Sequence, residues 1–190
     1  MKKIGILAIQ GDFEEHKLVL KKLGVDYKFV KEKRDFEDIH GLIIPGGEST
    51  TFRKIIRNYS LEEEIIKWRN DKKPTFGTCA GIIIMSSQIL NDEEGFGYGF
   101  LDIVIERNAY GRQRESFIAE VEYNFNHRAK VAFIRAPIIR KVNKGEAIAR
   151  LNGRPVGIQD ENFIGITFHP EITGDIKLHE YFLKLVNSSG

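Results

Sequence analysis

Lys73–Ser87 reads K-P-T-F-G-T-C-A-G-I-I-I-M-S-S. Cys79, the only cysteine in the 190-residue chain, stands here two residues from Gly77 on one side and Gly81 on the other. Thr75–Cys79 is a short β-prone run, and Ala80–Leu90 is apolar nearly all round, which predicts a buried helix. A strand that gives way to a helix at a residue so flanked by glycines is a nucleophile elbow. The turn is so tight that side chains at the flanking positions would collide. It lifts Cys79 out of the sheet at its carboxyl end, where open α/β sheets bind ligands. It also sets the sulfur at the amino end of a helix, where free N–H groups and the helix dipole favour thiolate, the attacking species. The competing reading is an inert core thiol, and a base elsewhere in the chain decides between them.

Outward from the elbow, strands alternate with helices. Ile4–Ile9 reads as a strand buried on both faces, followed by a helix that Asp12 can cap with Glu15 three positions on. Asp26–Val30 and Gly41–Pro45 read as further strands. Ser49, Thr50 and Thr51 offer capping hydroxyls to a helical stretch through Ile56, and Leu61–Trp68 reads as another helix. This alternation argues for a parallel sheet with helices on both faces. From Leu101 the texture changes to strand-like runs at Asp102–Glu106, Phe117–Tyr123, Val131–Ala136, Ala147–Leu151, Val156–Gln159 and Phe163–Phe168. Turn signals such as Asn152-Gly153 between them suggest hairpins. A last helix is expected over Asp175–Val186. The expected fold is α/β and three-layered, with a mostly parallel central sheet and antiparallel additions in the second half. Residues 1–190 read as one domain.

Bulk properties exclude several function classes. Hydrophobic residues make up 42% and charged residues 29%, which suits a globular chain with a sizeable core. A formal charge of +2 gives no reason to expect a nucleic-acid or membrane-surface partner. A single cysteine forms no internal disulfide, so a reducing, cytoplasmic setting is expected. No apolar run approaches the ~20 residues needed to span a bilayer. No G-K-[ST] loop is present, and G-F-G-Y-G (Gly95–Gly99) lacks the spacing of a nucleotide-binding turn. No cofactor and no metal is expected.

Five histidines could serve as the base. His16, His40, His127 and His179 read as surface or internally satisfied residues. His169 differs, because it follows the run F-I-G-I-T-F and opens H-P-E (His169–Glu171). In an extended backbone, residues i and i+2 point the same way, which would put the Glu171 carboxylate beside the His169 imidazole. Pro170 supports that geometry by disfavouring helix at His169. A carboxylate so placed holds one tautomer and stabilises the imidazolium, as in nucleophile–base–acid triads. Oxyanion donors are available from the N–H of Ala80 and from the paired glycines of P-G-G-E-S-T (Pro45–Thr50), whose bland reading is a simple strand–helix turn.

G-T-C-A-G, P-G-G-E-S-T and F-H-P-E, in this order and spacing, resemble class I glutamine amidotransferases. R-N-A-Y-G-R-Q-R-E-S-F (Arg107–Phe117) and F-I-R-A-P (Phe133–Pro137) narrow the likeness to the glutaminase subunits of pyridoxal 5'-phosphate synthase. The resemblance covers nearly the whole chain and implies a flavodoxin-like amidotransferase fold. It implies hydrolysis of L-glutamine to glutamate and ammonia, with the ammonia passed to a separate synthase subunit that builds pyridoxal 5'-phosphate. By matching positions, Cys79 would be the nucleophile, His169 the proton carrier and Glu171 its orienter. Gly47, Glu48 and Ser49 would line the glutamine site, with Gly47 completing an oxyanion hole begun by Ala80. Arg107, Ile134 and Arg135 would hold the amino-acid end of the substrate. An arginine fork suits a carboxylate, although Arg107, Arg112 and Arg114 read by themselves as a solvated basic loop. The resemblance also implies activation by the docked partner. Because glycine lets a peptide reorient at low steric cost, the P-G-G loop is the expected moving part, with the oxyanion donor near Gly47 misaimed until the partner binds. Rival readings are a glutaminase serving a different synthase, an elbow-cysteine hydrolase or stress protein, and a non-catalytic subunit that kept the fold. Against the second, such proteins commonly place histidine directly after the cysteine, where this chain has Ala80.

Overall fold

The computed structural model describes residues 2–111 and 115–190. Arg112, Gln113 and Arg114, in the most selective part of the resemblance, lie outside the described residues.

The elbow strand β4 (Thr75–Thr78) sits near the middle of a nine-stranded sheet. On one side lie β3 (Gly41–Ile44), β1 (Ile4–Leu7) and β2 (Tyr27–Val30), and on the other β12 (Phe163–Ile166), these five strands being parallel to one another. Beyond β12 the sheet becomes antiparallel through β11 (Arg154–Asp160), β10 (Glu146–Leu151), β7 (Ser116–Tyr123) and β8 (His127–Ile134). A small second sheet joins β5 (Ser86–Leu90), β6 (Leu101–Glu106) and β9 (Ile138–Val142).

The parallel strands are apolar on both faces because both faces are covered. Along β3, Leu42 and Ile44 pack into one hydrophobic cluster and Ile43 into the other, the alternation a pleated strand dictates. The first cluster takes Phe52 and Ile56 of α2 (Ser49–Asn58), Ile65 and Trp68 of α3 (Glu62–Asn70), and Ile82 of α4 (Ala80–Met85). The second takes Leu20 of α1 (Phe13–Lys22) and Leu178, Phe182 and Val186 of α6 (Lys177–Ser188). The result is the expected three-layer α/β arrangement.

Local expectations fail at four places. The helix expected over Ala80–Leu90 stops at Met85, and Ser86–Leu90 is strand β5, parallel to β6. Periodicity could not separate the two, since both are buried and apolar. The helix ends because other donors take its carbonyls: Tyr98 N–H bonds Ile84 O (2.7 Å) and Gly99 N–H bonds Ser86 O (3.2 Å). Asp12 makes no capping hydrogen bond to α1. At α2 the cap is the Glu48 carboxylate, which accepts from Thr50 N (3.1 Å) and Thr51 N (2.7 Å), rather than a hydroxyl. Finally, His169-Pro170-Glu171 is extended only at His169 (φ −118°, ψ 87°), and Pro170 begins a four-residue helix, α5 (Pro170–Thr173). Proline suits that first position because its φ is helical and its missing N–H needs no partner.

Candidate active site

The elbow is as tight as its glycines imply. A Cβ on Gly77 would lie 2.4 Å from the Met85 sulfur and 2.8 Å from the Gly81 carbonyl carbon, and one on Gly81 would lie 2.2 Å from the Ile44 carbonyl oxygen. Cys79 itself adopts φ 50°, ψ −102°, a conformation costly for a residue with a Cβ and characteristic of functional turns. Cys79 is 5% exposed. It is not sealed, because it lines a cavity of about 460 Å³ at the carboxyl end of the parallel strands. Helix α4 has only six residues, so the dipole at its head is smaller than a long helix would provide. A protonated imidazole in the same cavity would add a full positive charge beside the sulfur.

That imidazole is His169. It lines the same cavity as Cys79. Its backbone is pinned to the antiparallel part of the sheet, His169 N–H donating to Ala132 O at 2.8 Å. Its Nδ1–H edge faces two carboxylates, Glu171 Oε1 at 2.6 Å and Asp12 Oδ2 at 3.1 Å. Glu171 thus reaches the imidazole through the first turn of α5, not through an extended strand. Burial works against the charged imidazole, but hydrogen bonds to Asp12, Cys79 and Glu171 overcome it and the pKa is pushed up to about 12.

The two carboxyls influence each other. Burial and the hydrogen bond to Asp12 push Glu171 up to about 8, against the pull of His169. Burial would raise Asp12 too, yet its hydrogen bonds to Glu171 and His169 hold it well below the ordinary carboxylate range. Like charges this close do not both ionise freely. The directions follow solvent access, since the side chain of Asp12 is 16% exposed and that of Glu171 is 0%. The donor atoms of Asp12, His169 and Glu171 all lie within 4.8 Å of one another. Both carboxyls are engaged with Nδ1 of His169.

Behind it lies a second buried layer. His16 Nδ1 meets His179 Nε2 at 2.9 Å, and His16 Nε2 meets Thr78 Oγ1 at 3.2 Å, the residue before the nucleophile. Both imidazoles are fully buried and neutral, His16 held down to about 4 mainly by desolvation. His40 is exposed and His127 partly so.

The other expected residues also converge on the cavity. Gly47, Glu48, Ser49, Arg107, Ile134 and Arg135 all line it. A Cβ at Gly46 would sit 2.3 Å from His169 Cε1, so P-G-G passes directly over the base. Glu48 N–H donates to Gln10 Oε1 (3.1 Å). Ser49 is 3% exposed and its buried hydroxyl has no partner among the described residues. The Cys79 sulfur lies 3.6 Å from the Ile134 carbonyl. Ala80 is fully buried at the head of α4 and is not among the lining residues. Arg107 is differently engaged than expected. Its guanidinium donates to Asp92 Oδ1 at 2.7 Å and to Glu48 Oε1 at 3.0 Å, so its fork already holds two protein carboxylates.

Asp12, Gln10, Asn108, Ile83 and Ile172 reach the site without having been expected there. Gln10 and Asp12 had a usable signal: Q-G-D lies two residues past β1, at the carboxyl end where such sheets place ligands.

The sequence pattern of the SNO glutamine amidotransferase family matches residues 6–188. The chain is 45% identical over 192 residues to a protein of Thermoplasma acidophilum named pyridoxal 5'-phosphate synthase subunit PdxT, covering 98% of this chain and 94% of that one. It is also 45% identical over 184 residues to the protein of that name from Thermus thermophilus, with 96% of each covered. A crystal structure titled glutamine amidotransferase superposes with a TM-score of 0.91 at 43% identity, covering 97% of this chain and 98% of that one. With an elbow cysteine and an acid-backed histidine facing one cavity, and with this likeness along almost its whole length, the chain belongs to the SNO glutamine amidotransferase family.

Proposed function

We propose that residues 1–190 form one glutaminase domain that hydrolyses L-glutamine to L-glutamate and ammonia through a Cys79–His169–Glu171 triad. The ammonia passes to a pyridoxal 5'-phosphate synthase subunit as nitrogen source for that cofactor. The observation that carries this reading is that Cys79 and His169, far apart in sequence, line one cavity with Glu171 directly behind the imidazole. The thiolate of Cys79 attacks the side-chain amide carbon, and the oxygen takes up negative charge opposite the N–H groups near Gly47 and Ala80. The His169 imidazolium gives its proton to the departing nitrogen, and ammonia leaves behind a γ-glutamyl thioester. His169, now neutral, takes a proton from water as that water attacks the thioester. Glutamate departs and the ion pair is restored.

Arg135 and the Ile134 backbone hold the amino-acid end of glutamine, and the unpartnered Ser49 hydroxyl contributes a further hydrogen bond. Arg107 joins them only by releasing one of its carboxylates, and otherwise fixes the Glu48 loop. Because Gln10 holds the Glu48 N–H, the P-G-G loop is a switchable element, which the docked synthase subunit reorients toward the oxyanion. The likeness to proteins named as synthase subunits favours this reading over a glutaminase serving another synthase or a stress protein. The test is release of glutamate by wild type and Cys79→Ala, each with and without the synthase subunit. Activity is expected only for wild type, with a large rise when the subunit is added. Equal activity of wild type alone and in complex would remove the switch, and an active Cys79→Ala would remove the mechanism.

A further inference from the structure

Asp12 stands outside the triad, yet it touches the triad's base. Its Oδ2 lies 3.1 Å from His169 Nδ1, on the ring edge that Glu171 also engages at 2.6 Å. It does no work for the helix it precedes, since its side chain makes no capping bond. Its second oxygen, Oδ1, and the second oxygen of Glu171, Oε2, are both buried with no hydrogen-bond partner among the described residues. Two carboxyls that each bring an oxygen within 4.8 Å of the other and of the same imidazole, and that each keep a buried oxygen with no N–H or hydroxyl partner among the described residues, are placed to share a single proton. A buried carboxylate pair lowers its energy by taking up one proton, and the charge stays on the member with better access to water. Here that member is Asp12.

We propose that Asp12 is a positioning residue of this active site: it shares one proton with Glu171 and carries the negative charge that stabilises the His169 imidazolium, while Glu171, neutral, orients the ring. The groups facing His169 come from several elements. Asp12 precedes α1, Cys79 heads α4 and Glu171 lies in α5. His16 of α1 stands behind them, 3.8 Å from Glu171, with His179 of α6 beyond it. Tyr123 of β7 donates to Asp175, and Arg135 lines the cavity. His16 and His179 are neutral and Tyr123 is a phenol, so with Glu171 neutral Asp12 is the anion at the Nδ1 edge of the ring, apart from the Cys79 thiolate in the cavity. A charge fixed there keeps the imidazolium, and with it the thiolate, in place before glutamine arrives. The directions of the pKa shifts at Asp12, Glu171 and His169 agree with this division of roles.

The inference rests on His169 being the base, and its test is chosen to fail separately. Imidazole nitrogens of the isolated chain, labelled with ¹⁵N at histidine, are followed from pH 5.5 to 9.5, with His169→Asn assigning the signal. Wild-type His169 is expected to remain charged throughout. Removing an anion from beside an imidazolium lowers its pKa, so D12N is expected to lose the proton about 1–3 units lower, inside that range. The alkaline limb of kcat/KM for glutamine, measured in the complex, should move down with it. D12A should shift equally, because charge and not shape is responsible. E171Q, which keeps a neutral hydrogen-bonding side chain, should shift His169 less than D12N does. A D12N imidazole that stays charged to pH 9.5, a shift in D12A alone, or a larger shift in E171Q would each overturn the proposal. Undiminished glutaminase activity in His169→Asn would instead overturn the triad beneath it.

Discussion

The nucleophile and the base are delivered by two turns of opposite kind. At Thr78–Cys79–Ala80 the chain is held by steric exclusion: any side chain at Gly81 strikes the Ile44 carbonyl, and any at Gly77 strikes Met85. At Phe168–His169–Pro170 it is held by polar contacts from distant elements: Ala132 of β8, Asp12 before α1 and Glu171 of α5. The first turn is specified by its own few residues and tolerates no added volume. The second depends on groups from across the sequence, and its chemistry can be altered without moving the backbone. The nucleophile needs a fixed position, whereas the base needs an adjustable affinity for a proton.

The largest effect should come from breaking both turns at once. Cys79→Ala and His169→Ala should each lower kcat by about 10⁴-fold or more. Because the pair acts as a unit, the double variant should lose no more than the worse single one in the same assay. Additive losses would mean that the two residues serve separate steps. Next comes Gly81→Ala, where the methyl meets backbone that a side-chain rotation cannot move. It should lower stability by roughly 1–3 kcal/mol, read as a fall in Tm, and also lower kcat in the fraction still folded. A variant as stable and active as wild type would refute the steric account of the elbow.

The polar side has its own signature in pH. His16 is fully buried and its pKa is lowered to about 4 from an ordinary 6.5, so between these values the unfolded chain binds more protons than the folded one. Its contribution is therefore intact above pH ~6.5 and lost as pH falls toward ~4, at roughly 1.4 kcal/mol per pKa unit. His16→Gln should flatten the fall of Tm across that window, and an unchanged slope would assign the loss to other groups. The smallest effect is expected at Ser49→Ala. Removing a buried hydroxyl that has no partner should leave Tm almost unchanged. If that hydroxyl serves glutamine, KM should rise about 3- to 10-fold, as loss of one hydrogen bond of roughly 1 kcal/mol implies.

The same contrast governs what was legible from sequence. The elbow could be read locally, since its spacing, its glycines and its flanking apolar runs are adjacent. The parallel half of the sheet was legible for a related reason, because strands such as β1 and β3 are short apolar runs closed by turn residues. H-P-E identified the base and its partner, but the partner arrives through the turn of α5, because Pro170 starts a helix better than it extends a strand. Asp12 fits the pattern of a helix cap so well that its tertiary role was hidden. Strand β5 was misread because buried helix and buried strand share an apolar signature. The engagement of Arg107 with Asp92 and Glu48 joins segments that no local pattern connects.

The central claim, that the Cys79 thiolate attacks the side-chain carbonyl of a bound glutamine, is tested most directly by a glutamine-shaped chloroketone and intact-mass measurement. One adduct per chain is expected, mapped to the peptide carrying Cys79. Its formation should be slowed by glutamine and slowed strongly in His169→Ala. Glutaminase activity that persists with Cys79 fully alkylated, or an adduct on any other residue, would contradict it.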